Sequence, residues 1–325
     1  MPSSPWSNNL SIEVAGEKIS LKKFGEYLKD REWRLNHLYW IKNDQGDRIL
    51  FQMNWAQKTL FDKLWFLNVI LKVRQIGITT FFCILYLDDC IFNGYDAGLI
   101  AHTLPDATRI FDTKIKYAWD NLPEVLKAQY EVDTNNAREL RFKIGDVVSS
   151  IYIGTSLRSG TVQRLHISEL GTVDQRYPDK AEEIRSGALN IVHKGQIITI
   201  ESTAKGQTGI FYDICKGAMD LKQTGKKESE MDWRFFFFPW YLHSEYRLVG
   251  EYIYPSDLTD YFRKLELSEG LILDWEQKNW YFKKRQTQGD SMLSEFPTTP
   301  EEAFMASIEG SYYGKQMDLA LAEGR

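Results

Sequence analysis

Nine residues, Lys72 to Thr80 (KVRQIGITT), carry the types and spacing of a phosphate-binding loop with its cation displaced. The pattern G-x-x-x-x-G-K-[ST] curls backbone N–H groups around phosphates, sets a lysine against them and turns a hydroxyl toward their magnesium ion. Gly77 and Thr79 stand at the sixth and eighth places. Ile78 stands where the lysine is expected, and Lys72 where the first glycine is expected. The first residue of such a loop lies near the phosphates because the chain curls around them. A four-carbon lysine there can deliver its ammonium to the same oxygens. The loop alone leaves two readings open: a nucleotide site with a relocated lysine, or an ordinary strand-to-helix turn built on a glycine.

Two further segments bear on that choice. RLHISEL, Arg164 to Leu170, is an apolar strand ending in Ser168-Glu169. Enzymes that hydrolyse nucleoside triphosphates often end this strand in Asp-Glu, the Asp for magnesium and the Glu for the attacking water. Ser168 replaces the Asp; its hydroxyl can still order a magnesium-bound water, without a charge. Glu169 remains as the base. IESTAKG follows about thirty residues later, with Ser202 and Thr203 at another strand end. Paired hydroxyls at the carboxyl end of a parallel strand face the crevice where open α/β sheets bind ligands. The plainer alternatives are a surface glutamate and a loop-forming Ser-Thr pair.

These segments need a sheet to position them, and the pattern supplies one. NVILKV reads as a strand entering the loop and TTFFCILYLDDCIF as a helix leaving it. DAGLIAHT, QRLHISEL, GQIITIEST and DWRFFFFPW read as further strands. LPDATRIFDTKIKYAWDNLP and YPDKAEEIRSGAL read as helices, and ARELRFKIGDVVSSIYIGTS as a hairpin. Strands alternating with helices predict a doubly wound, mostly parallel α/β sheet. Phe235 to Phe238 predict a central strand buried on both faces. Residues 17–40 read as helical, and WAQKTLFDKLWF as an amphipathic helix after a short strand in GDRILFQMN.

The 325 residues, 43% hydrophobic, exceed the roughly 250–300 at which single cores stop growing, so one large domain and a smaller one are expected. The boundaries are an N-terminal segment 1–45, a core 46–240 and a helical, charged segment 241–325, with the N-terminal helices packing beside the last. Lys72, Arg74 and Gln75 interrupt the apolar run from Leu67 to Leu87, so it is not read as a membrane span. The first residues lack the basic start and long apolar run of a signal peptide. Cys83, Cys90 and Cys215 have no metal-ligand spacing and fit reduced thiols in a cytoplasmic protein. A net charge of −5 argues against a surface coated for static DNA binding, while leaving room for transient backbone contacts. The densest basic run is Lys283, Lys284 and Arg285.

The order of these motifs resembles the ATPase domain of the large terminase subunit, the DNA-packaging motor of tailed bacteriophages, from about Leu50 to Ile308. One variant of that family carries its loop lysine at the start of the motif, as Lys72 does. SLRSGTVQRLHISE looks like the run into the family's catalytic glutamate, and ESTAKG like the segment coupling hydrolysis to motion. FFFFPWYLHSEY and EFPTTPEEAF look like its later segments.

The resemblance implies a P-loop NTPase sheet of the ASCE type with a smaller helical lid, ATP and Mg2+ as ligands, and hydrolysis coupled to translocation of double-stranded DNA. It implies Gln57 at the adenine and a loop of Lys72, Arg74, Gln75, Ile76, Gly77, Ile78, Thr79 and Thr80 around the phosphates. Thr79 and Ser168 would stand at the metal, and Glu169 would activate water. Arg158 would be an arginine finger reaching a neighbouring subunit, with Arg164 as second choice. Ser202 and Thr203 would couple hydrolysis to motion. Implied partners are the portal protein of the procapsid, the small terminase subunit and a homo-oligomeric ring, a pentamer. The implied location is the host cytoplasm, transiently at the portal vertex. Ser168 departs from the acidic metal-site residue of the pattern. No acidic cluster for a two-metal nuclease follows Glu309, so an isolated motor domain is expected. The competing readings are a helicase-like DNA-dependent ATPase and a nucleotide-binding module without catalysis, the latter favoured by Ile78 and Ser168.

Overall fold

The computed structural model describes residues 10–43, 45–156, 161–187, 189 and 196–305. Two small antiparallel hairpins open the chain: Ser11–Val14 (β1) with Glu17–Ser20 (β2), and Trp40–Lys42 (β3) with Arg48–Leu50 (β4). Between them lie Leu21–Tyr27 (α1) and Arg31–His37 (α2). The helical reading of 17–40 is thus corrected to a strand and two short helices. Ser20 and Asp30 break it. Each accepts a hydrogen bond from a backbone N–H three residues on, at Lys23 and Trp33, and so starts a new helix.

Trp55–Lys63 (α3) begins with a capping box made by Asn54 and Gln57. Then comes the core: Leu67–Lys72 (β5), the loop, Ile78–Asn93 (α4), Ala97–Ile100 (β6), Glu131–Asn135 (β7), Glu139–Ile144 (β8), Val147–Gly154 (β9), Arg164–Ser168 (β10), Ile197–Ser202 (β11) and Trp233–Phe238 (β12). They form one eight-stranded sheet in the order β12-β5-β11-β10-β6-β9-β8-β7. It is parallel from β12 to β9, and the last two strands run antiparallel. The mixed α/β, mostly parallel sheet is the one the alternation predicts. β7 was not foreseen, because its residues alternate between half-buried and exposed at the sheet's edge.

Two of these placements create the site. After β5 the chain crosses two strand positions to β6, then returns to lay β10 and β11 into the gap. The carboxyl ends of β5, β11 and β10 therefore stand side by side at a switch in strand order, where open α/β sheets form their crevice. Register sets Ser168 opposite Glu201, and Ser202 opposite Leu71, one residue short of Lys72.

The quadruple phenylalanine strand is an edge strand, a correction to the central placement. Its flanks are nevertheless covered: Phe236 and Phe238 join the core beneath α4, and Phe235 joins the core on the other face. Of the N-terminal helices, α2 docks on α4, where Arg31 and Arg34 meet Asp89 and Asp88. Past Trp240 the chain holds two long helices, Ser256–Glu269 and Trp275–Gln288: Trp240 packs on Trp280 and Tyr281 of the second, and Tyr261 and Phe262 of the first meet Tyr281.

Candidate functional site

α4 is apolar on nearly every face and is held in the core, which fixes the loop at its start. Gly77 caps it at φ 76°, in the left-handed region, and a side chain there would press on the Gln57 amide. The first N–H groups of a helix have no intrahelical partner, and on a sixteen-residue helix they present a positive dipole end. Asn54 donates to the Ile76 carbonyl at 3.0 Å and Gln57 to the Gly77 carbonyl at 2.8 Å, bracing the loop from behind. Gln57, expected at the adenine, braces the loop in this structure: its Oε1 also accepts from Asn54 N, and the residue is buried.

Ile76 and Ile78 are buried in the core beneath the loop. Arg74 and Gln75 are exposed, and Thr79 and Thr80 half-buried. The burial of Ile78 explains its type: at the usual lysine position this chain places a core side chain. Lys72, at the end of β5, is 6% exposed and points among the strand ends. Its Nζ lies 3.1 Å from Glu169 Oε1 and 2.8 Å from Glu201 Oε2. Burial works against its charge, but the two carboxylates prevail and hold its pKa above the ordinary lysine value.

Glu169 follows β10 at φ 57°. Together with Gln75 at 62°, two of the three non-glycine residues with positive φ among those described stand in this site. Such backbone is costly and collects at functional positions. Ser202 donates to Glu169 Oε2 at 3.4 Å and accepts from Gly171 N at 3.2 Å. Gly171 permits this close approach, since a side chain there would meet Ser202 Oγ and the Thr203 carbonyl. Thr79 Oγ1 and Ser168 Oγ lie 3.2 Å apart. These are hard oxygen donors of the kind magnesium takes, and magnesium keeps much of its shell as water and phosphate. Among the described residues no group of three or more His, Cys, Asp and Glu could hold a metal by itself.

Three residues of this region carry no role in the sequence reading. Glu201 is fully buried and accepts from Thr79 Oγ1 at 2.5 Å and Ser168 Oγ at 2.8 Å. Burial pushes its carboxyl up, but Lys72 and then His166 outweigh that and hold it well below the usual carboxylate range. His166 is fully buried, its Nδ1 2.8 Å from Thr199 Oγ1 and its Nε2 3.6 Å from Glu201 Oε1. Glu295 binds Arg74 Nη1 at 3.3 Å and Lys205 Nζ at 2.5 Å, joining the loop to the segment after β11. The signal for Glu201 was available: a charged residue inside the apolar run IITIES, on a strand that the alternation buries on both faces.

Arg164, the second choice for a finger, is a correction. It lies at the other end of β10, buried, with Nε 2.6 Å from Asp89 Oδ2 and its guanidinium 4.3 Å above the Tyr95 ring. Arg158 lies outside the described residues.

No protein-family model matches the chain, and no curated protein matches it. Among solved structures it is similar to ATPase domains of phage large terminases. The Thermus phage P74-26 large terminase ATPase domain is 15% identical over 76% of this chain and 93% of that one, with a TM-score of 0.47. The HK97 bacteriophage large terminase is 11% identical over 84% of this chain, which spans 54% of it, with a TM-score of 0.49. A large terminase from a thermophilic bacteriophage, solved in complex with ATP-gamma-S, is 14% identical over 53% of this chain and 39% of that one, with a TM-score of 0.34. At these identities the likeness is one of fold.

Proposed function

We propose that this chain is an ATP-hydrolysing motor domain that drives double-stranded DNA into a viral procapsid. The observation that carries the hydrolytic part is the meeting of Lys72 and Glu169 at 3.1 Å, from two different strand ends, beside the Thr79 hydroxyl. A cation for phosphates, a base for water and a hydroxyl for a metal converge at the mouth of a braced loop. The DNA-packaging part is supported by the order of the motifs from Lys72 to the EFPTTPEEAF segment.

The protein's own groups divide the work. The loop N–H groups and Lys72 bind the β- and γ-phosphates. A polyphosphate competes with Glu169 for Lys72, so its arrival releases the Glu169 carboxylate. Glu169 then accepts a proton from the attacking water, general-base work typically worth 10²–10⁴ in rate. Thr79 and Ser168 stand where magnesium would be held, and the ion would neutralise charge on the phosphates. Ser202, which ends the strand beside β5, and Thr203, which follows it, move with the state of Glu169 and couple hydrolysis to motion. Portal protein, small terminase subunit and a pentameric ring of copies of this chain belong to the same reading, as does the host cytoplasm at the portal vertex. The chain's −5 charge suits transient rather than static DNA contacts.

The test is ATP turnover with and without linear double-stranded DNA. Lys72→Ala is expected to lose turnover while keeping its circular dichroism; turnover at the wild-type rate would sink the reading. Arg158 acts in trans in this proposal, and an arginine finger is worth about 10³–10⁵ in rate. Mixing Arg158→Ala with Glu169→Gln subunits is expected to return part of the activity. A mixture that stays inactive while rings form and exchange subunits overturns the trans assignment.

A further inference from the structure

Ser168 leaves the end of β10 without the carboxylate that a magnesium-nucleotide site ordinarily draws upon. We propose that Glu201, on the neighbouring strand β11, supplies it, so that this site has moved its metal-site anion one strand over. The inference rests on the nucleotide reading above and assigns within it a residue that neither the motif pattern nor the sequence spacing singles out.

Four observations carry it. Glu201 is 0% exposed, and an ionised carboxylate so deeply buried is costly unless paired and hydrogen-bonded. Its partners are the site itself: Lys72 at 2.8 Å, Thr79 Oγ1 at 2.5 Å and Ser168 Oγ at 2.8 Å. Both hydroxyls donate to the same oxygen, Oε1. A hydroxyl that gives its proton to a carboxylate turns its lone pairs outward, which fixes it as a donor to a cation. The residue that orients Thr79 is thus Glu201, while Ser168 is a second hydroxyl oriented by it.

The second observation is how its oxygens are divided: Oε1 takes both hydroxyls, and Oε2 meets the Lys72 ammonium at 2.8 Å. The third is charge. A single ammonium, on Lys72, is shared by two carboxylates at the mouth of the loop. The fourth is register: Ser168 and Glu201 are directly paired across β10 and β11, so an anion on either strand reaches the same place. His166 closes the inner side, its Nε2 3.6 Å from Glu201 Oε1 and the Phe82 ring stacked on it at 4.6 Å.

The experiment measures binding of a fluorescent ADP analogue with Mg2+ and with EDTA, and so needs no turnover. Wild type is expected to bind more tightly with Mg2+. Glu201→Gln is expected to lose the magnesium-dependent gain by about 10–100-fold, the usual cost of removing a carboxylate that orients a metal's ligands. Binding in EDTA is the reference for each variant, so the quantity read is the ratio of affinities with and without Mg2+. The double variant S168D/E201Q, which returns the carboxylate to the usual strand, is expected to recover the gain. An unchanged magnesium dependence in Glu201→Gln overturns the proposal. So does a folded double variant without recovery, which would leave Glu201 as a partner of Lys72 alone. If Glu201→Gln does not fold, the double variant decides by itself on the same criterion. Failure of wild type to bind the analogue in either condition overturns the nucleotide reading beneath it.

Discussion

The two ends of α4 each carry a buried cluster of opposite charges, and they are built differently. Near the carboxyl end, Asp88 takes a two-pronged guanidinium from Arg34 at 2.9 and 2.8 Å and a hydroxyl from Tyr39 at 2.8 Å. Asp89 takes Arg31 and Arg164 at 2.6 Å each and Asn93 at 2.8 Å. Every oxygen of the pair is matched, mostly by arginines, whose planar forks suit fixed geometry. At the amino end, a single flexible lysine serves two carboxylates. Among the described residues, two buried side-chain polar atoms there lack a well-aligned hydrogen bond: His166 Nε2, and Glu201 Oε2, whose contact is the Lys72 ammonium at 2.8 Å. A third, Arg31 Nε, lies at the rim of the other cluster, 3.8 Å from Asp88. Of the two ends, it is the amino end that carries strained backbone among the described residues, at Gln75 and Glu169. A closed cluster fastens α2 and β10 to the helix. The other is held by one shared lysine and two hydroxyls, and in the proposed reading a ligand completes it.

The comparison breaks most visibly through Glu169. Glu169→Gln keeps the shape of the side chain but cannot accept a proton. Hydrolysis is expected to fall by about 10²–10⁴ while nucleotide binding persists, with a melting temperature close to wild type. A mutant that binds poorly yet hydrolyses normally per bound nucleotide would show the role to be misassigned. The opposite signature belongs to the other end. Asp88→Ala strips Arg34 of its buried partner and is expected to cost about 3–5 kcal/mol of stability in denaturant titrations, with turnover per folded molecule retained. If Asp88→Ala were stable but inactive, the division of α4 into a fastening end and a working end would be wrong.

How much of this was legible in the sequence depends on which physical signal each part leaves. The parallel sheet was readable, because buried strands such as NVILKV and GQIITIEST leave unbroken apolar runs between helical patterns. The convergence of Lys72, Thr79, Ser168 and Glu169 was readable from motif order, since each ends or follows a strand of that sheet. The edge position of Phe235–Phe238 was not, because an edge strand covered on both faces has the composition of a central one. Nor was the fate of the arginines. Arg164 looks like any cation near the Ser168-Glu169 strand end until the topology sets it beside Asp89, at the far end of β10 from Glu169. Gln57 likewise reads as a free amide until Asn54 and Gly77 claim both of its polar atoms. Glu201 was visible as an oddity in an apolar strand, yet its partners come from β5, α4 and β10, and only the fold brings those together.

The smallest expected effect sharpens the comparison most. Ser168 occupies the place where the usual pattern has its acid, and if that place still mattered most, Ser168→Ala would be severe. In this structure Ser168 is one of two hydroxyls donating to a single oxygen of Glu201, and Thr79 continues to donate when Ser168 is removed. The loss is then one hydrogen bond to a charged acceptor, about 1.5 kcal/mol, or roughly a tenfold weaker magnesium-dependent nucleotide binding. The carboxyl-end cluster and the melting temperature should be almost untouched. A Ser168→Ala variant that loses binding as completely as Lys72→Ala would place the critical oxygen on β10 after all. A variant indistinguishable from wild type would mean that Thr79 alone satisfies Glu201, leaving Ser168 as a small residue that makes room for the relocated carboxylate.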